Sequence, residues 1–529
     1  MDMRHPYDLI VVGFGAAGAA AAIEAADAGA RVLILDRAHG GGASTLSGGV
    51  VYAGGGTAQQ RAAGIDDTPE DMFAYLTQEV GDAVSESTLR RFCEQSVGTL
   101  EWLETLGARY EGSLAPYKTS YPSDKHYLYY SGNENAWPYR ERARPAPRGH
   151  RTVARGMSSG AALFRVLRRA VESRSIQVVR AARVDELIME DGAVVGARYG
   201  ALTDPADLAA HARILRRGAK LGNFAPALGA VFDRQAARLW RGRATRAQAT
   251  GARVLLSGGG FVMNAALMDR HAGPYRNVNP LGTAGDDGGA IMLGVEAGGS
   301  TGKMDRLTAW RFLTPPSALL GGVAVGMDGK RIANEDLYGA TFSDSLLRNH
   351  EGKGRLVLDA SQWRAAKSQV RAQSQIFQAL QALFLFTLGH RRAATLASLA
   401  RRTGVSVAGL ESTVNAYNSG ISGEGDPAHK HADIATPVAR GPFYAIDISV
   451  GSSPFYPVPG LTLGGLRVNE ETGAVLREGG GEVTGLLAAG RSAVGICSNS
   501  YLSGLSLADC LFSGRRAGRT VAAALAPAG

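Results

Sequence analysis

One stretch near the N-terminus constrains the fold more than any other. Residues 8–13 read DLIVVG, an apolar run the length of one buried strand, ending on glycine. Gly13-Phe14-Gly15-Ala16-Ala17-Gly18 comes next, followed by an alanine-rich run that favours helix. A second apolar run, RVLILD, ends at Asp36. Strand, glycine turn, helix, strand and terminal carboxylate in this order predict a βαβ nucleotide site, and with it an α/β fold built on a Rossmann-type domain. Gly13 permits the tight turn, Gly15 lets backbone approach a pyrophosphate, and Gly18 lets helix and strand pack closely. Ala16 and Ala17 open a helix whose bare N–H groups and partial positive charge suit phosphates. Asp36 stands where a carboxylate binds a ribose diol. These features fit NAD and FAD equally.

Composition narrows the class around that site. At 529 residues the chain has room for two interleaved domains. An apolar share of 45% and a charged share of 20% exclude wholesale disorder and a polytopic membrane protein. Glycine reaches 70 residues with no collagen-like period, which implies many tight bends and close backbone approaches. Cys93, Cys497 and Cys510 form no CxxC pair, so neither a disulfide framework nor a structural zinc is expected. That usage fits a reducing, cytoplasmic setting. The first strand begins at Asp8, leaving no room for a leader peptide, and no apolar run is long enough to span a bilayer. The net charge of +9 is compatible with nucleic acid or an anionic membrane surface and decides neither.

Further along, residues 40–56 read GGGASTLSGGVVYAGGG, placing Ser44, Thr45, Ser47, Gly48 and Gly49 after the second strand. VLLSGGGFVMN at 254–264 contains Gly259, TAGDDGG at 283–289 contains Asp286, and GLLAAGR at 485–491 contains Gly490. The closing segment, LSGLSLADCLFSGRRAG at 502–518, contains Gly504, Leu505 and Ser506. This ordered set resembles the fumarate reductase/succinate dehydrogenase flavoprotein superfamily, to which 3-ketosteroid dehydrogenases belong. The resemblance implies FAD as cofactor, contacted at these positions, with a helix N-terminus near Leu505 pointing at the flavin. Ser44 and Thr45 stand where some relatives carry a histidine linked to flavin, so the FAD is expected to be non-covalent. It also implies an FAD-binding domain split between 1–295 and 441–529, with an inserted α+β capping domain at 296–440.

Two segments look like additions. Residues 201–250 carry nine Lys/Arg against three Asp, interleaved with Leu208, Ile214, Leu215, Leu221 and Phe224. At 376–388, IFQALQALFLFTL puts apolar positions 376, 377, 380, 383, 384 and 388 on one helical face, between Lys367 and Arg371 on one side and Arg391 and Arg392 on the other. The bland reading is a solvated basic face plus a helix packed on its own cap. The sharper reading is a basic, apolar surface that meets anionic lipid, peripheral to the inner face of the membrane. No recognition module accompanies the charge, so nucleic acid is not an expected partner.

The superfamily divides by substrate. Fumarate reducers clamp two carboxylates with arginine and histidine. Here Tyr501 stands where they place an arginine, and Pro459, Gly460 and Leu461 precede the Thr462-Leu463-Gly464-Gly465 turn where they place histidines. A dicarboxylate in such a dry site would cost several kcal/mol per unpaired ion. Tyr338, shortly after Asn334-Glu335, and Tyr127-Leu128-Tyr129-Tyr130 resemble ketosteroid dehydrogenase features, with Tyr130 favoured as a wall for substrate. The Tyr501-x-Ser503-Gly504 pattern is similar to the Δ4-(5α)-dehydrogenases, which turn 5α-3-oxosteroids into 4-ene-3-ones. The resemblance thus implies an FAD-dependent 3-oxo-5α-steroid Δ4-dehydrogenase. Tyr501 and the Gly504 N–H would hold the ketone oxygen, Ser503 would take the proton beside it, and Tyr338 would relay it. Three alternatives stay open: a Δ1-dehydrogenase, a fumarate-reductase-like reductase of another enone or enoate, and a flavin-binding membrane-surface protein without steroid chemistry. The electron acceptor is unknown, with a quinone expected if the surface meets a membrane.

Overall fold

The structure, a computed structural model, describes residues 6–222 and 226–525. Phe224 and the side chains of Lys220 and Leu221 lie outside the described residues. The apolar runs near the N-terminus become the strands Leu9–Val12 and Val32–Asp36, both almost wholly buried. Strands with no polar face belong inside a parallel sheet covered on both sides. The six-stranded sheet runs in space as Ala474–Leu476, Glu482–Ala488, Val254–Leu256, Leu9–Val12, Val32–Asp36 and Gln177–Arg180. Every pairing is parallel except that of the edge strand Ala474–Leu476. Ile10 sits between Val254 and Leu33, and Val254 pairs onward with Leu486, so the C-terminal segment returns to the sheet the N-terminus began.

Small residues set how the covering helices lie. Over the sheet runs the helix Ala16–Asp27, where a Cβ on Gly18 would come 2.0 Å from Gly13 O. The final helix, Leu505–Leu525, packs along it: a Cβ on Gly514 would come 2.3 Å from Ala17 O. Glycine therefore permits an approach that any larger side chain would block.

Ala182–Glu190, Ala193–Ala201 and Thr245–Thr250 form a separate antiparallel sheet. Between its last two strands the basic segment folds as two helices, Pro205–Gly222 and Pro226–Arg243. Trp240 packs on Gly200 and donates from Nε1 to Ala181 O at 3.0 Å, while His211 meets His39 at 3.1 Å. The hairpin thus docks beside the loop after Asp36, with Arg213, Arg216, Arg217, Arg234 and Arg238 exposed.

A third sheet carries the inserted segment, in the order Val323–Val325, Arg355–Leu358, Phe443–Asp447, His390–Ala393, all antiparallel. Gly339–Asn349 and Ala360–Gln373 cover one face and Val407–Ile421 the other, with Phe342, Leu346 and Trp363 in one cluster and Leu410, Val414 and Tyr417 in the second. The strand Phe443–Asp447 lies beyond the expected boundary at 440. Its backbone pairs with Arg355–Leu358 and His390–Ala393, which draws it into this inserted sheet. Among the described residues no helix is long and apolar enough to cross a membrane.

Candidate active site

The ends of four parallel strands converge at one place. Gly13 follows Leu9–Val12 at φ +106°, Asp36 ends Val32–Asp36, Gly259 follows Val254–Leu256 at φ +92°, and Gly490 follows Glu482–Ala488 at φ +60°. An α/β sheet binds its ligand outside the carboxyl ends of such strands. A Cβ on Gly13 would come 2.6 Å from Ser257 O, whereas one on Gly15 would meet nothing nearer than Ser44 Oγ at 3.5 Å. The space above the helix N-terminus is therefore open, as a pyrophosphate requires. Ala16 N–H donates to Ser44 Oγ at 3.1 Å, and Ala17 stands beside it in the first turn. The Asp36 carboxylate accepts from the N–H groups of Phe14, Ala38 and Gly40 at 2.9, 2.9 and 2.8 Å. Those bonds brace the loop, and a carboxylate's remaining lone pair suits a ribose hydroxyl.

The small-residue run lies against this cradle. Ser47 Oγ donates to Ser44 O at 2.7 Å and accepts from Gly49 N–H at 3.1 Å. Gly48 faces the Tyr121 ring, and Gly49, at φ +61°, lies against the Ser159 backbone. Asp286 accepts from Thr283 N–H at 2.8 Å and pairs with Arg491, next to Gly259. Gly504, at φ +93°, accepts from Tyr52 N–H at 3.2 Å; a Cβ there would come 2.7 Å from that same nitrogen. Leu505, fully buried, and Ser506, half-buried, start the final helix.

Tyr501, Ser503 and Tyr338 come together beside that helix start. Tyr501 meets the Trp310 ring edge-on at 4.7 Å, and Tyr338 meets Phe312 at 5.7 Å. Burial pushes the Tyr338 phenol well up; the Tyr501 and Tyr129 phenols push the same way, while Ser503 and Trp310 are close enough to oppose. Burial likewise raises Tyr501 and Tyr129. All three phenols stay protonated and can donate. The hydroxyl partner of Ser503 is Tyr129, at 2.8 Å between Oη and Oγ. Sequence reasoning favoured Tyr130 in that stretch and left Tyr129 unassigned. Tyr129 is inward because Leu128–Tyr129 pairs with Gly149–Arg151, where Gly149 leaves its ring room. Tyr130 instead lines a small pocket with Tyr338, Lys118, Ser120, Phe312 and Leu313. Lys118 Nζ donates to Asp336 O, and burial holds its ammonium below the usual lysine range.

A buried polar network stands behind these groups, and no local motif announced it. Glu79 accepts from Tyr75 Oη at 3.1 Å, Asn133 Nδ2 at 2.7 Å and Ser500 Oγ at 2.7 Å. Asn133 Oδ1 accepts from Tyr338 N–H at 2.6 Å. One glutamate and one asparagine thereby tie the residue before Tyr501 to the backbone of Tyr338. Desolvation raises the Glu79 carboxyl, and the bonds from Asn133, Ser500 and Tyr75 oppose it. The buried arginines nearby are held by protein groups: Arg148 by Asp67, Arg151 by Asp124, Arg491 by Asp286, and Arg311 by the carbonyls of Tyr456 and Ser449. His150 is occupied by Thr57 and Arg148 O. No arginine–histidine clamp for two carboxylates forms among these groups.

A split parallel sheet with a glycine-built nucleotide cradle and an inserted sheet beside its mouth defines a flavoprotein oxidoreductase. The family of FAD binding domains matches residues 8–507, and the chain belongs to it. Among curated proteins it is 38% identical over 499 residues to the 3-oxo-5-alpha-steroid 4-dehydrogenase of Comamonas testosteroni, covering 91% of this chain and 92% of that one. Among solved structures it is similar to the 3-ketosteroid Δ4-(5α)-dehydrogenase of Rhodococcus jostii RHA1, solved with 4-androstene-3,17-dione. There the identity is 29% and the TM-score 0.82, over 99% of this chain and 98% of the other. The 3-ketosteroid Δ1-dehydrogenase of Sterolibacterium denitrificans shares the fold, at 18% identity and TM-score 0.67, over 98% and 99% of the two chains. The protein is an FAD-dependent oxidoreductase. Its residues fit the cofactor: the open face of Gly15 leaves room for the pyrophosphate, and Thr45 Oγ1 and Arg491 Nη1 are buried with no hydrogen-bond partner among the described residues.

Proposed function

We propose that the protein desaturates a 3-oxosteroid, converting a 3-oxo-5α-steroid into its 4-ene. The observation that carries this reading is the cluster of Tyr501, Ser503, Tyr129 and Tyr338 at the start of the final helix, with the neighbouring guanidiniums engaged elsewhere. Protonated phenols suit a ketone oxygen, and aromatic walls suit a flat apolar skeleton. Tyr501 donates to the 3-oxo oxygen, joined by the Gly504 N–H, and so stabilises enolate character as C4 loses its proton. Ser503 Oγ takes that proton and releases its own through the neighbouring Tyr129 and Tyr338 hydroxyls, each phenol giving up one proton as it receives one, so that the excess proton leaves to solvent. Bound FAD supplies the acceptor for the hydride from C5. Tyr130 walls the substrate beside this cluster.

We read FAD as held without a covalent bond, contacted by the glycines and hydroxyls of the cradle, and the protein as cytoplasmic, with three free cysteines. A quinone is the electron acceptor this reading favours. The test is anaerobic flavin bleaching. Adding 5α-androstane-3,17-dione should bleach the flavin absorbance and 4-androstene-3,17-dione should not. Bleaching by the second steroid would turn the regiochemistry to Δ1, and bleaching by neither would discard the steroid reading.

A further inference from the structure

The helix Ile376–Thr387 carries apolar side chains outward as well as inward. Ile376 is 82% exposed, Leu380 59%, Leu383 60% and the following Leu388 75%. Phe455, 65% exposed, extends the patch, its ring tilted against that of Phe384 at 5.3 Å between centroids. The inward side is mixed: Ala382 and Leu385 are buried, Phe386 packs on Trp363, and two glutamines lie beside them. Gln375 Nε2 donates to Pro122 O at 2.9 Å and Asp124 Oδ1 at 2.8 Å, and Gln378 Nε2 to Tyr121 O at 3.3 Å. Those glutamines hold the helix to the stretch that continues from the cavity-lining Lys118, Thr119 and Ser120. An exposed apolar patch of this kind marks a binding surface.

Charge identifies what it binds. Between Asp359 and Glu411 the chain carries Arg364, Lys367, Arg371, Arg391, Arg392, Arg401 and Arg402 and no Asp or Glu. All seven are exposed, and none is in an ion pair among the described residues. An apolar helix face within a wholly cationic stretch fits the surface of a bilayer, where the side chains enter the acyl boundary and the cations meet anionic headgroups. The basic hairpin 205–243 offers less, since its apolar residues Ile214, Leu215, Phe232 and Trp240 are half-buried.

The geometry points to a lipid-docking face made of Ile376, Phe377, Leu380, Leu383, Leu388 and Phe455, whose partner is the anionic surface of a phospholipid bilayer. It lies about 10 Å, one helix thickness, from the 121–124 stretch. A docked protein therefore holds that segment one helix thickness behind the membrane surface. The inference rests on exposure and charge, independently of which substrate the site takes.

Co-sedimentation of the FAD-loaded protein with vesicles tests it. The protein should pellet with phosphatidylcholine vesicles containing phosphatidylglycerol at low salt, and less at high salt. Arg391→Glu with Arg392→Glu should weaken that binding about tenfold or more. Leu380→Glu with Leu383→Glu should abolish it, with flavin absorbance and far-UV circular dichroism unchanged. A parent protein that stays in the supernatant at low salt overturns the proposal. So does a leucine double variant that pellets like the parent. A vesicle-free dimer that the same variant splits would assign the face to a second copy instead.

Discussion

At the scale of single residues the proposed site gathers phenol hydroxyls kept neutral by burial. Tyr501→Phe removes the proposed donor to the ketone oxygen and should lower turnover by about 10²-fold, the scale of a lost oxyanion-hole donor. Tyr129→Phe leaves the ketone contact intact but removes the Ser503 hydroxyl partner. It should lower kcat by about 10²-fold, the low end for a proton-transfer group, with little change in KM. Steady-state kinetics on both variants checks the assignment: a Tyr129→Phe enzyme with parental kcat would remove Tyr129 from the proton path. The sequence marked Tyr501, Ser503 and Gly504 as neighbours of a helix start because they are adjacent in the chain. It favoured Tyr130 over Tyr127 and Tyr129 and left the partner of Ser503 open, since alternation along a strand says only that neighbours face opposite ways. The pairing of Tyr129 with Gly149 made the choice.

At the scale of elements, glycine governs the contact between the first and last helices. Gly514 faces the Ala17 carbonyl so closely that a methyl group would need backbone to move. Gly514→Ala should therefore destabilise the fold by about 1–3 kcal/mol, the range for overpacking, although alanine is the better helix former. Because Ala17 belongs to the turn that would cradle the pyrophosphate, flavin content should fall together with the thermal midpoint. A variant with parental midpoint and full flavin would show that the helices yield without cost. The helix 376–387 teaches the complementary lesson. Its 3.6-residue period was readable, and the ordinary expectation turned the apolar side inward. Ala382, Leu385 and Phe386 do turn inward, but Gln375 and Gln378 share that side, their amides finding Pro122, Asp124 and Tyr121, and Ile376, Leu380 and Leu383 are left outside.

At the scale of the whole molecule, stability should depend on pH through buried histidine. Burial holds His150 down to about 4, with Arg148 O accepting from Nδ1 and the Thr57 hydroxyl at Nε2. The unfolded chain takes up a proton near pH 6.5 and the folded one does not, so stability falls as pH drops through that window and levels off near 4. The loss approaches on the order of 3 kcal/mol for this residue. Thermal melts from pH 7 to pH 5 should show a falling midpoint, with a shallower slope in His150→Gln; equal slopes would remove His150 as the cause. The sequence by itself determined the nucleotide cradle, since Gly13, Gly15, Gly18 and Asp36 act within one continuous strand–turn–helix–strand whose local geometry needs no distant partner. It also placed the phenol and serine at the start of the final helix, which are contiguous. Only the tertiary structure decided the rest: which tyrosine meets Ser503, how Glu79 and Asn133 join Ser500 to Tyr338, where Phe443–Asp447 pairs, and which side of a periodic helix looks outward. Each of these depends on groups far apart in the chain, and periodicity or spacing carries no record of what lies across a gap in space.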